Sequence, residues 1–124
     1  AHFTTDPSMV VGMMLGAKGC YSYWVNTLPR WHIQYMNACK EGNWDKATQY
    51  HKKLIDWESK NLNSIRDAGY RHGIVGKARA NLTGWLEDSG ITRAPYYPVS
   101  DQLKRDLKQA FDEYWSPEIT MEKF

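Results

Sequence analysis

LGAKGCYSYWVNTLP, residues 15–29, is the stretch that decides how this chain folds. It starts with glycines, continues as a short apolar and aromatic run from Gly19 to Trp24, and ends with an asparagine and a proline. Because the run does not alternate between apolar and polar residues, it predicts a strand buried on both faces, as in a parallel sheet. From Pro29 onward the spacing of apolar residues is helical. The stretch therefore joins one strand to one helix, and no second complete strand is predicted to pair with it.

The residues before this stretch predict a helix and the end of another strand. Asp6 is expected to cap a helix from Asp6 to Gly16, with Pro7 at the first helical position, where its missing N–H costs nothing. Gly16 is a natural C-terminal glycine for that helix. Residues 1–5, AHFTT, are interpreted as the tail of a strand. The order strand, helix, strand, helix is typical of an α/β protein.

The remainder of the chain is predicted to be mainly helical, because apolar residues recur there with a spacing of three to four. The predicted helices run from Pro29 to Gly42, from the cap Asn43 to a break at Gly69 and Gly73, from Ile74 to Gly90, and from the cap Ser100 onward. Pro95 and Pro98 predict an extended connector before the last helix. The tail from Ser116 is expected to be loosely held.

Composition and charge exclude several classes of protein. The chain has 124 residues, with 16 basic and 14 acidic side chains that leave a net charge of +2. These charges are spread evenly, which argues against a nucleic-acid partner. No apolar run reaches the roughly 18 residues of a membrane helix, and no signal pattern is present at the N-terminus. Cys20 and Cys39 form no CxxC pair and are interpreted as buried thiols. A cytoplasmic location is the expectation.

Several motifs with chemical meaning fail on inspection, and no metal or cofactor is expected from them. GIVGKA, which starts at Gly73, lacks the first glycine and the final Ser or Thr of a phosphate loop. The chain contains no Gly-x-Ser-x-Gly nucleophile elbow. The four histidines are scattered without metal-ligand spacing, so a zinc site is not predicted. They are His2, His32, His51 and His72.

A candidate site follows from position alone. In α/β proteins ligands gather at the carboxyl ends of the strands, so Thr4, Thr5 and Asp6 are expected to face residues Ser22 to Asn26. Two of these residues have a simpler structural explanation, since Asp6 can be a helix cap and Asn26 a turn residue.

The run GAKGCYSYWVNTLP followed by ACKEGNWDKATQYHKKL resembles the strand-eight region of the dihydrodipicolinate synthase and N-acetylneuraminate lyase family. The residues that fit the spacing of that family are Gly16, Ala17, Gly19, Ser22, Asn26, Pro29, Glu41, Gly42 and Ala47. A second segment, GKARANLTGWLEDSGITRAPYYPV at residues 76–99, is similar to the hydratase-aldolase branch of the family. The resemblance extends over nearly the whole chain.

The resemblance implies a fold and a place in it. Family members are (β/α)8 TIM barrels with additional C-terminal helices, and such a barrel needs roughly 250 residues. Residues 1–42 then correspond to the end of strand seven, helix seven, strand eight and helix eight, and residues 43–124 to the C-terminal helical region. The N-terminal barrel portion, which would supply the partner strands, is absent from this chain.

The resemblance also implies a reaction. The family forms a Schiff base between a lysine on strand six and a 2-keto acid, typically pyruvate, which makes an adjacent bond easier to form or break. This chain has no counterpart of that lysine, since Lys18 precedes strand eight and Lys77 lies in the C-terminal helices. No catalytic residue is therefore assigned to this chain. The implied function is that of a class I lyase, with hydratase-aldolase cleavage of an arylidene-pyruvate as the favoured subtype.

Alternatives within the family are dihydrodipicolinate synthase and a sugar-acid aldolase or dehydratase. An alternative of another class is a helical interaction module without enzymatic activity. The residues with implied substrate-binding roles are Thr4, Asp6, Tyr21, Ser22 and Tyr23, with Asn26 added by position. Thr4 stands where many relatives have glycine and is expected to narrow the site, which argues against sialic acid.

A homotetramer is also implied, because the family commonly forms one. The tryptophan content agrees with buried contacts to other chains or to the missing barrel portion. The indoles considered for these contacts are Trp31, Trp44, Trp57 and Trp85.

Overall fold

A computed structural model describes residues 2–84 and 93–122 of the chain. Two short strands, β1 at Phe3–Thr5 and β2 at Gly19–Tyr21, pair in parallel with Phe3 opposite Gly19 and Thr5 opposite Tyr21. The helix between them, α1, spans Met9–Met14. The strand end predicted within residues 1–5 is confirmed as β1. This three-residue strand is the pairing partner of β2.

The first predicted helix has a different start. Residues Asp6–Ser8 form a 3-10 turn, and α1 begins only at Met9. The prediction that Asp6 caps the helix is wrong, because its carboxylate bonds to Tyr23 and His32 instead. The predicted stop is confirmed, since Gly16 has φ +89°, a conformation that glycine adopts readily.

The prediction of a buried strand from Gly19 to Trp24 is wrong in extent and in burial. β2 ends at Tyr21, which is 72% exposed. The hydroxyl of Ser22 accepts hydrogen bonds from the backbone N–H groups of Trp24 and Val25, at 2.9 and 3.1 Å. These bonds divert the backbone from strand pairing into a 3-10 turn at Trp24–Asn26.

Four helices follow, and no strand occurs among the described residues between 30 and 115. They are α2 at Pro29–Lys40, α3 at Trp44–Asp67, α4 at His72–Ala80 and α5 at Asp101–Glu122. The two side-chain caps predicted for α3 and α5 are present. Asn43 Oδ1 accepts the N–H of Lys46 at 3.2 Å, and Ser100 Oγ accepts that of Leu103 at 3.3 Å.

Two helix ends differ from the prediction. α4 ends at Ala80 and includes Gly73, so Gly73 is not part of the break. The predicted end at Gly90, with Trp85 and Leu86, lies outside the described residues. The tail predicted to be loose from Ser116 is helical as far as it is described, since α5 continues to Glu122, which is 7% exposed.

The described chain contains two compact units, Ala1–Asp56 and Trp57–Phe124. The core of the first unit is aromatic, with Trp31 in ring contact with Trp24, Tyr35 and Tyr50 at centroid distances of 6.1, 5.9 and 5.5 Å. The division at residues 42 and 43 stays a prediction. None of the helices in the described part of the chain combines the length and apolar character needed to cross a membrane.

The second unit packs around Trp57, whose ring lies 5.7 Å from that of Phe111. The same unit holds a buried ion pair, with Arg79 Nη1 2.7 Å from Glu58 Oε1. Burying this pair is tolerable because each charge faces the other.

Candidate functional site

The carboxylate of Asp6 joins the carboxyl end of β1 to the segment after β2. Asp6 is 4% exposed. Its Oδ2 accepts a hydrogen bond from the backbone N–H of Tyr23 at 3.0 Å. Its Oδ1 lies 3.0 Å from Nε2 of His32 in α2, so that nitrogen carries the donated proton when the carboxylate is ionised. Asp6 therefore holds together three parts of the first unit.

Two opposing effects act on the pKa of Asp6. Burial alone would raise it, but hydrogen bonds from His32 and Ser22, the positive charge that His32 can carry, and the backbone bond from Tyr23 together hold it below its ordinary value. Asp6 is consequently a charged, acceptor-only group at neutral pH. As such it is suited to orient donors and not to deliver a proton.

The exposed aromatic side chains lie next to this buried group. Tyr21 and Tyr23 are 72% and 53% exposed, and the ring of Phe3 packs against that of Tyr21 at a centroid distance of 5.4 Å. Gly19 makes this possible, because a Cβ there would lie 2.9 Å from the ring of Phe3. Strand alternation puts Phe3, Thr5 and Tyr21 on one face, which we call the open face.

Thr4 lies on the opposite face of the strands. It is buried, and its side chain contacts α1 at Gly12, where an added Cβ would lie 2.5 Å from Thr4 Cβ. The narrowing of the site that the sequence suggested does not follow from a side chain in this place. Only the backbone of Thr4, and not its side chain, is available to the open face.

The structure brings five of the six predicted site residues to the carboxyl ends of the strands and the following turn. Asp6, Ser22 and Tyr23 are linked by hydrogen bonds. Tyr21 and Asn26 are exposed. Of the two structural explanations considered, the cap at Asp6 does not apply, whereas Asn26 does end a 3-10 turn.

Sequence reasoning missed His32 and Cys20. His32 is 26 positions from Asp6, and nothing local in the sequence links the two residues. Cys20 Sγ lies 3.8 Å from Asp6 Oδ1, a weak hydrogen bond. Only the parallel pairing of β1 with β2, which α2 follows, brings these residues together.

Asp6, Cys20 and His32 also form the one group among the described residues whose ligand-type atoms are close enough to hold a metal ion, within 4.8 Å of one another. Hydrogen bonds between these side chains already account for the short distances. Without a metal, burial and the charge of Asp6 raise the pKa of the Cys20 thiol to about 12, so this thiol is a protonated hydrogen-bond donor in the cluster. We therefore interpret the group as a hydrogen-bonded cluster.

Comparison with known proteins places these observations in a family. Residues 4–114 match the Dihydrodipicolinate synthetase family. A 4-hydroxy-tetrahydrodipicolinate synthase from Desulfotalea psychrophila is 27% identical over 108 residues, which cover 87% of this chain and 33% of that protein. This chain therefore spans about a third of the length of that curated relative.

Solved structures agree on the fold. A crystal structure of a dihydrodipicolinate synthase is 24% identical, with a TM-score of 0.68, and covers 89% of this chain and 35% of that one. A Sulfolobus solfataricus 2-keto-3-deoxygluconate aldolase variant is 16% identical, with a TM-score of 0.68 and coverage of 97% and 39%. The predicted fold class is confirmed as part of a TIM barrel with additional helices. On the match over residues 4–114, the chain belongs to the dihydrodipicolinate synthetase family.

Proposed function

We propose that this chain is the C-terminal part of a class I aldolase or synthase that acts on pyruvate or another 2-keto acid through a Schiff base. The observation that carries the proposal is the family match over residues 4–114. The open face adds support, because Tyr21 lies exposed at the carboxyl end of β2, the end at which barrel enzymes bind their substrates.

The nucleophilic lysine is proposed to come from a part of the protein outside these 124 residues. A lysine becomes a nucleophile when its amine is desolvated or placed beside another cation. Lys18, the lysine nearest in sequence to the open face, is exposed and precedes β2. The proposed contribution of this chain is therefore one wall of the site, formed by Thr5, Tyr21 and the turn after β2.

The proposed subtype is a hydratase-aldolase that cleaves an arylidene-pyruvate to an aldehyde and pyruvate. The basis is the segment at residues 76–99, and the exposed aromatic rings of Phe3 and Tyr21 would suit an aryl group by stacking. The alternative is a dihydrodipicolinate synthase, which the name of the Desulfotalea relative favours. A sugar-acid aldolase is favoured by the Sulfolobus structure, which is in complex with L-2-keto, 3-deoxy-galactonate.

Assembly into a homo-oligomer is part of the proposal, with a tetramer as the expected form. Fewer tryptophans support it than the sequence suggested. Trp31 and Trp57 are already 2% and 0% exposed in this chain without any partner. Trp44 is half-buried, and Trp85 lies outside the described residues.

Borohydride trapping tests the function. The full-length protein is incubated with pyruvate, reduced with borohydride and analysed by mass spectrometry. We expect one stable pyruvyl adduct on a lysine outside these 124 residues. An adduct on a lysine of this chain would contradict the assignment of the nucleophile. No adduct at all would contradict the Schiff-base chemistry. The subtype is tested by turnover with an arylidene-pyruvate against turnover with pyruvate and an amino-aldehyde.

A further inference from the structure

Asp6 and His32 form a buried pair, and Asp6 also bonds to the segment after β2. Both side chains are 5% exposed, and the other carboxylate oxygen of Asp6 accepts the N–H of Tyr23. The additional parts of a complete barrel can only bury this pair further. In this arrangement the carboxylate is occupied by protein donors and is not presented to a substrate.

The pair connects a rigid helix to a turn by directional bonds. His32 lies in the first turn of α2, where its N–H bonds to Leu28 and its ring packs edge-on against Tyr35 at 6.3 Å. Asp6, held by His32, accepts hydrogen bonds from the backbone N–H of Tyr23 and from the hydroxyl of Ser22. Ser22 in turn holds the N–H groups of the following 3-10 turn.

We propose that Asp6 and His32 are positioning residues that hold residues 22–25 in place and thereby fix Tyr21 and Tyr23 at the substrate site. The inference rests on the proposed function and replaces direct substrate contact by Asp6. Tyr21 and Tyr23 are the exposed groups, whereas the pair that orients them is buried. Apolar contact between Trp24 and Trp31, at 6.1 Å, gives the turn its general location, but only hydrogen bonds fix its direction.

The test compares two changes at His32 in the full-length protein. His32→Leu removes the donor, whereas His32→Gln keeps an N–H near the position of Nε2. We expect His32→Leu to lower kcat roughly 10- to 100-fold, because a small misplacement of a site group has such an effect. Pyruvate trapping should persist in this variant, and His32→Gln should recover most of the turnover.

His51→Asn is the control. His51 is a partly buried histidine of the same unit, and its Nδ1 lies 3.0 Å from the hydroxyl of Tyr35. Asn keeps a polar group near Nδ1 for that hydroxyl, so the packing of Tyr35 against His32 is retained and kcat should stay at the wild-type value. Asp6→Asn provides a second break in the same link and should resemble His32→Leu.

Hydrogen exchange gives a readout that does not depend on activity. The backbone amide of Tyr23 should exchange faster in His32→Leu and in Asp6→Asn, with exchange in α5 unchanged as evidence that the protein is folded. Loss of turnover in Asp6→Asn alone, with His32→Leu at the wild-type value, would show direct substrate contact and overturn the inference. Unchanged exchange at Tyr23 in both variants would overturn it as well. Failure of pyruvate trapping in the wild-type protein would instead overturn the proposed function, and the exchange result can be read independently of it.

Discussion

The structural role of Asp6 is set by hydrogen-bond partners that are distant in sequence. An aspartate before a proline is a common helix start, and that local signal led to the wrong prediction of a cap. The actual partners, Tyr23 and His32, are 17 and 26 positions away. By contrast, Asn43 and Ser100 were predicted correctly because a cap bonds to an N–H three residues on, within reach of local sequence.

The first prediction concerns Asp6 and pH. A carboxyl group whose pKa is lowered by folding stabilises the protein above its unfolded pKa, about 3.9, and loses that contribution as the pH falls through the folded value. Asp6→Asn removes the negative charge and replaces one acceptor oxygen by an NH2 group, which weakens the hydrogen bonds from His32 and Ser22. It should therefore lower the free energy of unfolding by about 1–3 kcal/mol at pH 7.

The difference between wild-type protein and Asp6→Asn should shrink as the pH falls below about 4, because the carboxyl group of the unfolded wild-type chain then takes up a proton that the folded chain does not yet bind. Urea unfolding between pH 3 and pH 7, the range over which the reference carboxyl titrates, measures this change. The groups that face Asp6 are His32, Cys20, Ser22 and the backbone of Tyr23, and all are kept in the variant. A difference that is constant over this range would contradict the assignment of the lowered pKa to Asp6.

At the scale of elements, the order of the chain and the start of β2 at Gly19 were predictable, and the end of β2 was not. Helical spacing predicted the long helices because it is set by their own buried stripe. β2 is different, since its pairing partner is β1 and its end is set by the hydroxyl of Ser22. The apolar run that suggested a strand to Trp24 is shared between a strand and a turn, and both bury apolar residues.

The second prediction concerns the packing of α1 on β1. Gly12→Ala should lower the free energy of unfolding by about 1–3 kcal/mol, because the new methyl group would overlap the branched side chain of Thr4. Thr4 is buried and cannot move into solvent. Thermal and urea unfolding measure the change.

Two further variants serve as controls for this prediction. Gly73→Ala, in α4, meets nothing within 4 Å and should be neutral or stabilising by up to about 1 kcal/mol. Thr4→Gly combined with Gly12→Ala should recover stability relative to Gly12→Ala alone, since the overlapping atoms are gone. Equal destabilisation with and without Thr4→Gly would mean that backbone freedom at Gly12, and not its contact with Thr4, is what matters.

At the scale of the whole molecule, the resemblance identified a partial barrel because its motifs record spacing over most of the chain. Physical reasoning from periodicity alone reached only a βαβ unit followed by helices. What it could not supply is the neighbour of the open face, since Phe3 and Tyr21 contact each other and are still 56% and 72% exposed in the described chain. That face is where the enzyme and the interaction-module hypotheses differ.

The last prediction separates these two hypotheses. If the chain is part of a barrel, residues 1–124 expressed alone should expose the open face, bind a hydrophobic dye and self-associate, because contiguous apolar surface is rarely left in water. Phe3→Ser together with Tyr21→Ser should reduce dye binding, whereas a change at the exposed Tyr97, outside this face, should not. Addition of the separately produced N-terminal portion of the protein should suppress dye binding and restore the pyruvate adduct that the isolated chain cannot form. Sedimentation of residues 1–124 as a monomer that unfolds cooperatively and binds no dye would instead favour the interaction module, since such a chain would be complete in itself.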